Sequence, residues 1–573
     1  MNHQNNQFDV APFRANAFCF MEVISIILLP LMIGMILLNG PIHRNSATYD
    51  EVTYYRLAID WWKTGADESI TRMGSPVTFW KWQSLPALIW LDWSGEFNDL
   101  HEPLDQLPSL LPVFRFSALW IWGLGLWASQ YWAWRLNGHK AALFTGICYA
   151  SGPNLLAHGS LITMECPLWV FWTLSFIGIS NFISKRSRKS LLLGSIFAGI
   201  AFSMKFTAVL IPFLFLAILW IKESLESTGN LLKCEFKFWI RSLIKSCGTF
   251  AIFTMLMIVT NLVVTGFATI PLSEQKGEHP WLLKTFPPEI ASHLTSLLEI
   301  SIPVDWAGFL TQLRHQSSGG PGYLFGEISN SGWRWYYLVA LSVKVPVAIL
   351  AAILLRPVLI STIRKPEDWL IPAVSIIFLA VACAGSKRNY GFRYLLPVAP
   401  MMIVWLSGLV RTNPGRIAAV MIVASLGLNT FRTHPWELTY FNEFVGGPEL
   451  GRRILADSNL DWGQGLLQLR EMQCTRPELN SLTLFYFGDV APSVYEISGM
   501  TFQVDASDRF EHLPKTLAGL NLQYVAVSTS MSDGPWGPSE YFRIFREIKP
   551  VTTTPDGSIR IYELDVVIAS LKK

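Results

Sequence analysis

A succession of long apolar runs constrains this chain more than anything else in it: residues 18–39, 112–132, 141–157, 167–183, 191–221, 247–267, 335–355, 369–384, 394–410 and 417–431. About 20 apolar residues in a helix span the roughly 30 Å hydrocarbon core of a bilayer, and only helices or closed barrels satisfy their backbone there. The predicted fold is therefore an α-helical polytopic membrane protein. Composition agrees, with 51% hydrophobic residues against 15% charged and a mean hydropathy of +0.34. The first run is too long for a signal-peptide core and lacks a small-residue cleavage site after it, so it reads as a retained helix. A net charge of +3 is too small to suggest a nucleic-acid partner. Of the seven cysteines, Cys19, Cys148, Cys247 and Cys383 lie in apolar runs and none has zinc spacing, which points to packing rather than disulfides or metal.

Lys and Arg gather in the short connections: Arg135 and Lys140; Lys185, Arg186, Arg188 and Lys189; Lys222, Lys233, Lys237, Arg241 and Lys245; Arg356, Arg364 and Lys365; Arg411 and Arg416. The positive-inside bias makes all of these cytoplasmic. The basic loops on either side of 191–221 must then share a side, so this run crosses as a hairpin of two short helices with Lys205 at its outer tip. Each arm has about 15 residues, roughly 23 Å of helix. The expectation is about eleven crossings in a membrane domain of residues 1–431, with the N-terminus cytoplasmic and a long outward loop at 40–111. Residues 432–573 form a small outward α/β domain, with strand-like runs at 482–487, 524–528 and 558–564 and a helix near 466–472. The chain is placed in a plasma (inner) membrane. No internal repeat is visible, which disfavours inverted-repeat transporters.

Ionisable residues out of place for solvation collect in the outward loops. Tyr49-Asp50-Glu51 sets adjacent carboxylates at interface height; if the chain is helical to Thr64 they sit at its N-terminus, where helix capping is a competing reading. The next outward loop holds His158 and Glu165, and a histidine alone is more often a hydrogen-bonded structural residue than a ligand. Lys205 and Arg393 interrupt apolar sequence. A charge at that depth is costly unless paired or wetted and reads by default as functional, with snorkelling as the alternative. Carboxylates that orient and deprotonate a hydroxyl, converging with cations that stabilise a phosphate, suit transfer chemistry.

The order of Asp50-Glu51 in a long first loop, an acidic residue after the third helix, a lysine in a later apolar hairpin and Arg393-Tyr394-Leu395-Leu396-Pro397 resembles the multi-pass glycosyltransferases of the GT-C fold. The similar groups are the protein O-mannosyltransferases and lipid A aminoarabinose transferases of glycosyltransferase family 39, over about residues 18–431. Tyr440-Phe441-Asn442-Glu443 and Asp457-Ser458-Asn459-Leu460-Asp461-Trp462 resemble the end of a bacterial branch. The resemblance implies an inverting transfer from a polyprenyl-phosphate-linked sugar to a protein, lipid or glycan acceptor. It implies Asp50 as general base or acceptor-orienting carboxylate with Glu51 beside it, Glu165 in support, and Lys205 and Arg393 on the donor phosphate. Thr53 stands where many relatives have Arg, and Lys81-Trp82-Gln83-Ser84 replaces the Glu-Lys-Pro-Pro of the aminoarabinose branch, so no metal or divalent cofactor is carried over.

Asp457-x-Asn459-x-Asp461 has the alternation of a calcium loop, but Trp462 replaces its glycine and Gln468 its bidentate glutamate, which favours a structural turn or an acceptor-facing surface. The tryptophans at 61, 62, 80, 82, 90 and 93 read as an interfacial belt before they read as sugar platforms. Two rivals to a glycosyltransferase remain: a transporter or flippase for a lipid-linked glycan, which needs polar residues near the midplane, and a non-catalytic relative.

Overall fold

A computed structural model describes residues 11–100, 102–228, 236–271, 300–360, 365–503, 522–537 and 540–571, with 287 and 517. Lys233 and Arg364 lie outside the described residues. The chain is a multi-span helical membrane protein with a small mixed-sheet unit at its C-terminal end. Its first helices are α1 (Ala11–Arg44), α2 (Tyr49–Thr64), α3 (Phe79–Ser94), α4 (Leu107–Ser117), α5 (Leu119–Asn137) and α6 (His139–Ala150). After them come α7 (Pro153–Gly159), α8 (Glu165–Lys185), α9 (Arg188–Met204), α10 (Leu210–Thr228) and α11 (Phe236–Val264).

Among the described residues, eight helices are long and apolar enough to cross a membrane, and nine if Tyr336–Lys344 and Val347–Leu359, bent by 107° at Pro346, count as one broken span. The expected eleven crossings thus divide into these nine and two shorter helices, α6 with 12 residues and α9 with 17. Helix α8 is the axis of the bundle, buried along almost its whole length. Small residues allow the approach: a Cβ on Gly178 would stand 2.6 Å from the backbone of Gly194 in α9, and Ser175 Oγ donates to Gly194 O at 2.9 Å. Close backbone contact of this kind is how helices associate where lipid supplies no hydrophobic drive.

The hairpin expected around Lys205 is present. Arg186 and Lys245 both pair with Glu223, the latter at 2.5 Å, and Lys222 donates to Ile183 O, so the start of α9 and the end of α10 lie at one end of the bundle. Lys205 turns the chain at the other end. The remaining basic loops join the first group: Arg356 and Arg411 hold Asp368 at 2.7 and 2.9 Å, Arg411 Nε reaches Asn137 Oδ1 at 2.6 Å, and Lys365 donates to Leu136 O. One end is a cationic rim, and the other carries the acidic loops and the tail.

In the tail, five strands run in the order Met500–Gln503, Leu482–Tyr486, Tyr524–Ser528, Ile559–Glu563, Thr552–Thr553. Leu482–Tyr486 is parallel to both neighbours and wholly buried, in keeping with its apolar residues on both sides of Thr483. The tail seats on the membrane body through backbone bonds, Ser46 N to Gln464 O at 3.0 Å and Tyr49 N to Trp462 O at 2.8 Å, and shares its hydrophobic core.

Candidate active site

Three turns of chain and one strand-like residue bring the predicted charges together. Asp50 lies in the first turn of α2, whose N-cap Thr48 forms a capping box with Glu51. Glu165 opens α8, and Lys205 leaves α9 in extended backbone. Arg393 follows Gly391, whose φ of +114° and contact with Ser458 leave no room for a side chain.

Arg393 Nη1 donates to Asp50 Oδ2 at 3.0 Å and lies 3.7 Å from Glu165 Oε1, which also accepts from Lys205 Nζ at 2.8 Å. Signs alternate along the row Asp50, Arg393, Glu165, Lys205, so the four charges cancel. Aromatic rings insulate the cations: Lys205 Nζ stands 4.5 Å over Tyr394, and the Arg393 guanidinium 4.2 Å over Trp462 of the tail. Access separates the two carboxylates, since the Asp50 side chain is 29% exposed and that of Glu165 1%. Glu165 Oε2 is nonetheless buried without a partner. His158 is buried nearby with Nδ1 unpartnered, and burial pushes its imidazole down to about 3, so it is neutral.

Glu51 is placed elsewhere. Its carboxylate accepts from Arg115 Nη2 at 2.6 Å and Nε at 2.9 Å, from Thr48 N and Oγ1 at 3.0 Å each and from Ile162 N at 3.1 Å, all fully buried. No open oxygen is left for a substrate. Arg115 also donates to Ile42 O, Asn45 O and Ser46 O, so this pair locks α1, α2 and α4 together. Sequence reasoning missed Arg115, although it interrupts an apolar run as Lys205 does. It also missed the ring contacts of Tyr394 and Trp462, for which no local signal exists. Thr53 and Arg56 both face Asp489 of the tail.

The Asp457–Asp461 turn points its oxygens at protein donors. Asp457 Oδ1 accepts from Trp536 Nε1 at 3.1 Å, Asn459 Oδ1 from Phe392 N at 2.9 Å, and Asp461 from Ser530 N at 2.8 Å and Gly463 N at 3.1 Å. Among the described residues no three His, Cys, Asp or Glu side chains group as metal ligands. An apolar cavity of about 900 Å³ runs between the helices from Asn154 and Phe392, beside the charged row, to Trp405 and Asp368 near the cationic rim.

Residues 109–234 match the family model for dolichyl-phosphate-mannose-protein mannosyltransferase. The matched stretch carries Arg115, His158, Glu165 and Lys205. Among solved structures, ArnT from Cupriavidus metallidurans bound to undecaprenyl phosphate is similar at 12% identity over 94% of this chain and 98% of that one, with a TM-score of 0.47. An oligosaccharyltransferase from Archaeoglobus fulgidus in its apo form is similar at 12% identity over 91% of this chain and 71% of that one, with a TM-score of 0.45. A comparison with curated protein sequences finds no match.

Proposed function

Taking the mannosyltransferase family match across residues 109–234 as the premise, we propose that this chain is an inverting glycosyltransferase that moves a sugar from a polyprenyl-phosphate carrier to an acceptor hydroxyl at the outer face of a plasma membrane. One observation carries the assignment of chemistry: within a closed, charge-balanced row, Asp50 is the carboxylate left open to a ligand. The cationic rim is the cytoplasmic end, by the positive-inside bias. The charged row then lies outside, and the apolar cavity beside it takes the polyprenyl chain.

In the transfer, the acceptor oxygen bonds to the anomeric carbon while the bond from that carbon to the phosphate oxygen breaks. The electron pair leaves with polyprenyl phosphate, and the acceptor proton goes to Asp50. Arg393 and Lys205 meet the developing phosphate charge with bonds roughly twice as strong as neutral ones. Because Arg393 holds Asp50 in the structure, an arriving phosphate competes for the guanidinium and frees Asp50 to accept a proton. Glu165 acts as a positioning residue that keeps both cations aimed. A transporter needs its polar groups near the midplane, whereas these gather at one end of the bundle.

The test is transfer from labelled polyprenyl-phosphate sugar in membranes with matched protein. Asp50→Asn keeps shape and leaves the Thr48–Glu51 cap in place but removes the base, so turnover falls by about 10²–10⁴-fold. Wild-type turnover in this variant refutes the assignment.

A further inference from the structure

Next to Asp50, four rings from three separate parts of the chain form a row across the junction of membrane body and tail. Tyr49, 41% exposed, stacks on Phe487 at 5.5 Å and 14°. Phe487 stacks on Trp536 at 5.6 Å and 17°, and Tyr390 closes the row 6.2 Å from Trp536. None of the four is fully buried. Asp457 Oδ1 accepts from the Trp536 indole at 3.1 Å and fixes its plane. Asp489, held by the Thr53 hydroxyl, lies two residues beyond Phe487, and both aspartates are close enough to Asp50 to act on it electrostatically.

We infer that the acceptor is a saccharide and that this row is where it binds, which rests on the glycosyltransferase reading above. Aromatic faces accept the C–H faces of pyranose rings, and carboxylates at their edges accept hydroxyl hydrogen bonds. Rings and carboxylates are both present, and the row begins at the residue adjacent to the open base. A peptide acceptor fits less well. An extended peptide would pair with a free strand edge; in the tail's five-stranded sheet the edges are Met500–Gln503 and Thr552–Thr553, and the row lies on neither. The tail thus supplies half of the acceptor surface, and the bound sugar chain presents its hydroxyl to Asp50 while the carrier phosphate leaves toward Arg393.

The experiment uses full-length protein in native membranes and, as probe, the pooled polyprenyl-phosphate sugars of cells grown on tritiated hexose. The expected product resists protease and, after mild hydrolysis, runs as an oligosaccharide. Trp536→Ala and Phe487→Ala lower incorporation by about two- to tenfold at subsaturating acceptor and leave binding of undecaprenyl phosphate unchanged, while Trp536→Phe, which keeps a ring, recovers part of the loss. Label in protease-digestible material overturns the saccharide acceptor, as does wild-type incorporation by both alanine variants. No incorporation by the wild-type protein refutes the glycosyltransferase reading itself. Product class is read on the wild-type chain, so an alanine variant that fails to accumulate leaves that arm decisive.

Discussion

Asp50 and Glu51 are neighbours in sequence with opposite surroundings, and helix geometry is the reason: consecutive residues point about 100° apart. Asp50 looks toward Arg393 and open space, while Glu51 is closed on Arg115 and three backbone and hydroxyl donors. Their substitutions should therefore fail differently. Glu51→Gln leaves the Arg115 guanidinium buried without its countercharge, which costs about 3–5 kcal/mol. The expected result is a clearly lower thermal midpoint in detergent with near-normal turnover per folded molecule. An unchanged midpoint with lost turnover would move the base to Glu51. At this scale the sequence was informative where a charge broke an apolar run, as at Lys205 and Arg393. It set Asp50 and Arg393, 343 residues apart, in one site but gave no sign that they pair directly.

The junction loop from Asp457 to Gln464 shows how one element serves both halves of the molecule. Its backbone receives α2 at Trp462 O, its side chains clamp Phe392 and Ser530, and Trp462 shields Arg393. The alternation of oxygen-bearing residues was legible as a turn, but their partners lie in loops far along the chain, so sequence left their role open. Burial pushes Asp461 up to about 7 despite two backbone donors. For a carboxyl whose folded value is raised above its unfolded one near 3.9, the stabilisation is complete below that lower value and is lost as pH rises through the folded one. The thermal midpoint should therefore decline from about pH 4 to about pH 7 and level off above that. Asp461→Asn keeps one acceptor oxygen, for Ser530 N or Gly463 N, and turns its NH2 toward the other; its midpoint should be lower throughout, but the decline should flatten. A parallel decline in both proteins would mean that Asp461 is already ionised at about pH 4. The hairpin of α9 and α10, by contrast, was legible from charge, because two basic loops on one side leave an apolar run to cross twice or not at all, and its length fits two short helices.

Across the whole molecule, sidedness is the property that joins fold to function. The cationic rim gathers Arg356 and Arg411 onto Asp368, Arg186 and Lys245 onto Glu223, and Lys365 onto Leu136 O at one end, and the Asp50 row and tail occupy the other. Of the helices shorter than a full span, α6 was legible as an apolar run, and α9 was separated from α10 only because charge put the basic loops on one side. The break between Tyr336–Lys344 and Val347–Leu359 was passed over in one apolar run, although Lys344 and Pro346 mark it in the sequence. If the rim faces the cytoplasm, the tail and its acceptor surface face outward. Two positions decide this: the exposed native Cys474 in the tail, and Lys189→Cys at the exposed start of α9. Each is made the sole thiol of the chain and treated with a membrane-impermeant maleimide. In intact cells Cys474 should react and residue 189 should not, and in inverted vesicles the pattern should reverse. The opposite pattern would turn the molecule over and place the Asp50 row at the cytoplasmic face. A transfer to outer-face acceptors would then be impossible, however well Asp50, Arg393 and Lys205 are arranged for chemistry.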